Sequence, residues 1–385
     1  MEKPRILFVS KYHLLTSIQG GSEERVWLLS TELARRGWDV HCISEMKKTP
    51  DPAVVDGVTL HALPPQRSPF VANRLALRRL LTKLRPAVVV SIVYDLYTHH
   101  TMLEAPAGTL KVWASASEAD GSFLPRLKLV KQNFGAARFY AHLLRFVYPT
   151  WMARRGVRAA DLVLAQHTGQ QEALAAGGID SVVLHNPQTS VPENEVQSHL
   201  GKPLVLWAGG IKDWKRPRLF IELARRCRDL DADFVMIGNI QEPKYRAILD
   251  AATRKLPHLR YDGAVPRNRV GEYFQKAHLL VSTSQAEGYP NTFIHAMMRG
   301  VPIVSLDVNP DRLLTDKGLG RFATNLNDLE KAVRELLANS DKRREIGARA
   351  REYAVREFDL GFVVDQLEGL LAQRGVGRGE IGNRK

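Results

Sequence analysis

An α/β fold of two successive Rossmann-like domains is the class this chain predicts, and three stretches carry the prediction. Residues 6–43 read strand, glycine loop, helix, strand. The same alternation restarts at Leu204 after a polar interruption, and residues 284–302 read as a loop and helix start between two buried strands. Strands that alternate with helices form parallel sheets with helices on their faces. At 385 residues the chain is long enough for two domains with separate cores.

The first strand is Ile6-Leu-Phe-Val-Ser10, and the loop after it ends Gln19-Gly-Gly-Ser22. The helix expected over 23–36 has Ser22 as N-cap and Val26, Leu29 and Leu33 as its buried stripe. Gly37 closes it, and residues 39–43 are the next strand. Gly20 and Gly21 lack the third glycine of the dinucleotide fingerprint, and by themselves read as a tight turn that opens the helix. Residues 87–93, 110–114, 161–165 and 182–186 follow as strands, completing an N-terminal domain over 1–187. The proline-bearing stretch 188–203 reads as a linker to a C-terminal domain over 204–358. There residues 204–208 are a strand, Gly209-Gly210 turns, and Pro217 begins a helix ending near Arg228. The strand 234–238 runs into Asn239, and Gly263-Ala-Val265-Pro266 follows a further strand. A last helix over 359–372, with Asp359 as N-cap, buries Leu360, Val363, Val364, Leu367, Leu370 and Leu371. The Gly- and Arg-rich tail 373–385 reads as disordered.

Hydrophobic residues make up 44% of the chain and charged residues 25%, an ordinary globular balance. Cys42 and Cys227 are scattered in apolar patterns, which excludes a disulfide framework or a cysteine metal site and fits a reducing compartment. Met1-Glu-Lys-Pro-Arg5 leads straight into a strand without the apolar region of a signal peptide, so a cytoplasmic protein is expected. No apolar run reaches the ~18 residues of a bilayer span. The net charge of +14 is concentrated in two acid-free blocks, 57–94 and 121–160, a footprint that attracts polyanions. Asp231-Ala-Asp233 precedes a strand at its amino end and reads as a turn, with no metal expected there.

In the stretch 284–302, Pro290 stands where a helix begins and Gly300 where it ends. Such a corner offers an anion the positive end of a helix dipole, and Glu287 and Gly288 in the loop sit beside it. Asn291 and His295 share one helix face. These residues resemble the donor-site signature of the retaining GT-B glycosyltransferases, specifically glycosyltransferase family 4: a Glu, a Gly, an aromatic, a Pro and a second Glu eight residues after the first. Here the first Glu is Glu287, the others are Gly288, Tyr289 and Pro290, and the second Glu is replaced by His295. A carboxylate accepts from two ribose hydroxyls, whereas a neutral imidazole offers one acceptor and one donor. The resemblance implies two facing Rossmann-like domains with an interdomain cleft. It also implies transfer of a hexose from a nucleoside diphosphate sugar, which is a substrate, so that no cofactor and no metal is required. Glu287 and Lys215 are then the catalytic residues, with Lys215 on the donor diphosphate. Gly20, Gly21, Gly210, Lys212, Asn239, Val265, Gly288, Tyr289, Pro290, Asn291, Thr292 and His295 are the expected donor-binding positions. Gly210 stands where the family has an Arg, with Lys212 or Arg216 as compensating cations.

The family's sugar-contacting His after the strand 110–114 is absent; Glu118, Asp120, His99 and His100 are the alternatives, against the reading that all are solvated loop residues. Within 121–158, Tyr140, Leu143, Leu144 and Val147 fall on one helical face and Arg138, His142 and Arg145 on another. That pattern fits an acceptor or membrane patch at an anionic surface, or a helix that packs on the sheet with its charges in water. The expected acceptor is a glycan or a lipid-linked acceptor in cell-surface polysaccharide assembly. A same-fold epimerase or phosphorylase, and a basic nucleic-acid-binding protein, are the competing classes. No recognition helix, zinc finger or RNA-binding aromatic motif accompanies the charge, so no nucleic acid is expected.

Overall fold

The computed structural model describes residues 3–10, 20–45, 52–63, 73–92, 94–116, 149–197 and 200–377. Gln188–Asp359 forms one compact unit, and the chain up to Pro187 together with the segment from Leu360 forms the other. Arg138, His142, Arg145, Glu118 and Asp120 lie outside the described residues.

In the first unit β1 (Arg5–Val9), β2 (Asp39–Glu45), β3 (Ala53–Val55), β4 (Val58–Leu63), β5 (Val88–Ser91), β6 (Leu110–Ala114), β7 (Leu162–Ala165) and β8 (Val182–Val183) make one sheet. Its order is β3-β4-β2-β1-β5-β6-β7-β8, parallel throughout except for the β3–β4 pair. Strand periodicity sends Ile6 and Phe8 to one core, with Val26, Leu29 and Leu33 of the helix Gly21–Arg35 and Val363, Val364, Leu367 and Leu371 of the helix Leu360–Ala372. Leu7 and Val9 face the other core, with Leu77 and Leu81 of the helix Arg74–Leu84 and Tyr97 of the helix Leu96–Glu104. Burial on both faces explains why these strands read as continuous apolar runs. The Leu360–Ala372 helix is further tied down by Glu368, which accepts from Trp38 Nε1 at 2.7 Å and from the Arg36 guanidinium at 2.8 Å. Four buried aliphatic side chains at roughly 1.5–3 kcal/mol each outweigh that polar contact, so packing holds the helix and Glu368 sets its register.

In the second unit β9 (Leu204–Ala208), β10 (Asp233–Ile237), β11 (Leu259–Tyr261), β12 (Leu279–Ser282), β13 (Ile303–Leu306) and β14 (Gly320–Ala323) form an all-parallel sheet of order β11-β10-β9-β12-β13-β14. The order reverses between β9 and β12. Loops that leave such a switch point in opposite directions open a crevice at the carboxyl ends of the strands, where ligands of open α/β sheets bind.

Four expectations are corrected. The stretch 188–203 is part of the second unit: the Gln197 N–H donates to Arg299 O at 2.9 Å, its side-chain amide donates to Ala277 O, and Arg299 pairs with Glu195 at 3.2 Å. Its composition marks a loop, and a loop can still pack on the domain it precedes. Ser22 is not an N-cap, because the helix begins at Gly21; the Ser22 hydroxyl instead donates to Glu23 at 3.1 Å. Pro290 is the N-cap residue, one position before the helix Asn291–Met298. In the tail Val376 is buried in the first unit's core, an apolar side chain that the Gly/Arg composition masks.

Asp231 and Asp233 lie at the amino end of β10, both paired with Lys202 at 3.3 and 2.8 Å. At the opposite edge Gly238 has φ +138°, and a Cβ there would fall 1.8 Å from Gly209 O. Gly238→Ala therefore forces two strand-end loops apart and is expected to cost about 3 kcal/mol, read as a lowered denaturation midpoint. Gly369→Ala, a helix position with nothing within 4 Å, should be neutral or stabilising. Equal midpoints for the two variants would show that the Gly209–Gly238 approach is not obligatory.

Candidate functional site

The loop after β9 and the loop after β12 meet at the switch point. Lys215 Nζ and Glu287 form an ion pair across it, with side chains only 18% and 17% exposed. Several bonds hold the two loops around that pair. Trp207 Nε1 donates to Thr283 Oγ1 at 3.0 Å, and the Thr283 hydroxyl is in turn within reach of Lys215 O at 2.7 Å and Arg216 O at 3.1 Å. The Gln285 N–H donates to Trp214 O at 2.8 Å. The Arg216 guanidinium donates to Thr283 O at 2.6 Å, to Ser284 O at 3.1 Å and to Asp307 at 2.5 Å, drawing in the loop after β13. Arg216 and Asp307 are both left-handed, with φ of 48° and 66°. Strain of this kind costs about 1–3 kcal/mol per residue and persists where surroundings over-determine the backbone. Arg216 is thus a brace between loops, its guanidinium engaged by two carbonyls and by Asp307.

The Lys212 Nζ lies 4.2 Å from the centroid of the Trp214 ring, and Trp214 is itself 46% exposed. Burial, and then the like charge of Lys215, hold the Lys212 ammonium below the ordinary lysine pKa against the opposing pull of Glu287 and Glu242. Gly210 stands beside the Gln241 amide, which a Cβ there would meet at 2.6 Å. Asn239 accepts from Ile211 N at 2.8 Å, linking the loops after β9 and β10. Lys212 and Lys215 stand here with the carboxylates of Glu287 and Glu242, and the Asn291–Met298 helix, with Asn291 and Thr292 half-buried in its first turn, starts after the Glu287 loop with its positive end.

The remaining expected positions divide. Gly288 and Pro290 lie in the loop beside Glu287. The Tyr289 ring is buried against Phe358 at 5.0 Å between centroids, and burial pushes its phenol well above the usual pKa, so its side chain belongs to the core. Val265 packs half-buried on the same core. The His295 imidazole stacks on Phe274 at 5.3 Å and receives the Gln188 amide at 3.1 Å. Gly20 and Gly21 belong to the first unit, at the start of the helix that follows β1, where that sheet's order also reverses. His99 and His100 do not lie in a loop: both sit in the helix Leu96–Glu104, His99 bonded to Met152 O at 3.1 Å. Burial, then His99, lowers the His100 pKa to about 4.

Sequence reasoning missed Arg25. Its fully buried guanidinium donates to Ser115 O at 3.0 Å and Leu184 O at 3.1 Å, joining the carboxyl ends of β6 and β8. Burial lowers its pKa to about 10, so it stays charged at neutral pH. The signal was its spacing four residues before Leu29, on the buried face.

A parallel six-stranded sheet with cations and a glutamate at its switch point is the doubly-wound α/β arrangement, in which ligands bind at the carboxyl ends of the strands. Residues 20–187 match the model of the glycosyl transferase 4-like domain and residues 192–353 that of glycosyl transferases group 1. The chain belongs to the group 1, family 4-like glycosyltransferases of GT-B fold. It is 24% identical over 250 residues to an alpha-maltose-1-phosphate synthase of Mycolicibacterium smegmatis, a match over 56% of this chain and 64% of that protein, less than two thirds of its length. Among solved structures, sucrose-phosphate synthase from Thermosynechococcus elongatus superposes with a TM-score of 0.76 at 16% identity, covering 97% of this chain and 99% of the other. Anabaena HepE in complex with UDP-glucose superposes at 0.70 and 14% identity, covering 96% and 99%.

Thr283 is the hinge of the loop network, and Thr283→Val keeps its shape while leaving the buried Trp207 N–H unsatisfied. The expected loss is about 2 kcal/mol by denaturant titration, with Thr283→Ser recovering most of it. A Thr283→Val variant as stable as the parent would remove the hydroxyl from this role.

Proposed function

We propose that the protein is a retaining hexosyltransferase that takes its sugar from a nucleoside diphosphate donor, with a glycan or lipid-linked acceptor, in surface polysaccharide assembly at the cytoplasmic side of a membrane. The observation that carries the reading is the Lys215–Glu287 pair at the switch point of the second sheet. A uridine donor is the first choice, because HepE, a neighbour in fold, is described in complex with UDP-glucose.

In this reading Lys215 and Lys212 take the charge that builds up on the leaving diphosphate, and the positive end of the Asn291–Met298 helix faces the same charge. Preorganised donors of this kind act where charge develops, and losing one costs on the order of a hundredfold or more in rate. Glu287 accepts from hydroxyls of the transferred sugar and orients its anomeric carbon. The bond from that carbon to the diphosphate oxygen breaks, with its electron pair leaving on the diphosphate. The acceptor oxygen bonds the same carbon on the same face and gives its proton to the departing phosphate. No protein nucleophile, metal or cofactor enters the scheme. Entry of the donor also breaks up the resting ion pair: Lys215 turns to phosphate, and Glu287 is released to the sugar.

Glu287→Ala should then lose turnover by about a hundredfold or more while UDP still stabilises the fold, and Lys215→Ala should weaken both. A ligand at a hundred times its Kd adds about 2.7 kcal/mol of stability, readily seen as a raised melting temperature with UDP, GDP or ADP. An active Glu287→Ala variant, or indifference to all three nucleotides, would falsify the assignment.

The lowered Lys212 pKa gives a signed pH prediction. Lys212 sheds its proton at a lower pH than an ordinary lysine, so nucleotide affinity should fall as pH rises through that depressed value. Calorimetric titration of UDP across the alkaline range should show this limb, and Lys212→Gln should lack it.

A further inference from the structure

The three helices on one face of the first sheet carry a surface that the donor chemistry does not use. The helix Arg74–Leu84 buries Leu77, Leu81 and Leu84 and turns Arg78, Arg79 and Lys83 outward, with Arg85 exposed after its end. The helix over 149–158 turns out Trp151, Arg155 and Arg158, at the i, i+4, i+7 spacing of one stripe. Between them lies the helix Leu96–Glu104. Arg74 pairs with Glu104 from one side, and on the other a Cβ at Gly156 would stand 2.7 Å from His99 Cα, so these two helices pack backbone against backbone. Arg74 and Arg155 both act on the His99 imidazole, which places the two outer helices around one centre. Among the described residues, none of Arg78, Arg79, Lys83, Arg85, Arg155 and Arg158 forms an ion pair. Within the same layer Leu75 is 61% exposed, Leu103 46% and Trp151 55%.

We propose that this three-helix face docks the protein on an anionic phospholipid bilayer. The inference deepens the reading of a membrane-side acceptor by naming the surface and its partner. Unpaired cations spread over a broad face match the diffuse negative charge of a headgroup plane. The protruding apolar side chains match the layer beneath it, and a tryptophan is a side chain that settles at that boundary. A nucleic acid would meet the same charges, but three apolar side chains standing in water beside them contribute little along a phosphate backbone.

The test is sedimentation of the full-length protein with vesicles of phosphatidylglycerol and phosphatidylcholine, against phosphatidylcholine alone. The parent should bind the anionic vesicles, release from them as salt rises, and ignore the neutral ones. Arg78→Glu/Arg79→Glu/Lys83→Glu and Arg155→Glu/Arg158→Glu should each weaken partitioning by on the order of tenfold or more. Trp151→Ala should weaken it less and without changing the salt dependence. UDP-induced stabilisation, measured on the same samples, reports folding and the donor site independently, so failure of the surface and failure of the transferase reading are separate results. Parent-like vesicle binding by both charge-reversed variants overturns the proposal, as does equal binding to neutral vesicles. Loss of binding only on Arg138→Glu/Arg145→Glu, or tighter binding to random duplex DNA than to anionic vesicles, overturns it too.

Discussion

The second unit depends on bringing two loops that are far apart in sequence to one point, where Lys215 and Glu287 meet. As a stabilising element this pair is a poor choice. Two charges with less than a fifth of each side chain exposed lose most of their hydration, and the attraction between them barely repays it. The loops are held by other means: the Thr283 hydroxyl between the Trp207 indole and the carbonyls of 215–216, and the Arg216 guanidinium across three acceptors. A charge pair that the fold does not need, held rigidly by bonds that it does, is the arrangement expected when the charges serve a ligand.

The strain around the pair fits the same account. Left-handed Arg216 and Asp307 would each be relieved by glycine, yet both side chains are engaged with each other. Glycine would relax the backbone and lose the brace between the loops after β9, β12 and β13. The conformational cost is offset by three hydrogen bonds to a charged group, each worth about 1.5–3 kcal/mol.

Much of this was legible in the chain. Both sheets announced themselves as apolar runs separated by helical patterns, and β6 and β9 occupy the stretches read as strands, because buried parallel strands leave the plainest signature in sequence. Glu287 and Lys215 were legible as loop residues flanked by Pro290 and Pro217, which mark helix starts. What stayed hidden has one physical character. Gln188 on His295, Arg216 on Asp307 and Arg25 on Ser115 and Leu184 are contacts between residues separated by about 90 to 160 positions. Side chains of that kind look like ordinary surface residues until the topology brings their partners. Tyr289 shows the converse: a motif position can be filled by a residue whose ring serves the core while its backbone shapes the loop.

The substitution of His295 for a second carboxylate bears on the charge of the helix face that carries it. A glutamate there would place a negative charge against the Phe274 ring and the Gln188 side chain. The histidine is instead held by stacking on Phe274 and by an uncharged amide from Gln188. Lys212, for its part, has its pKa held down by burial and by the like charge of Lys215. A diphosphate bound beside Lys212 and Lys215, as the proposed function requires, would relieve that repulsion.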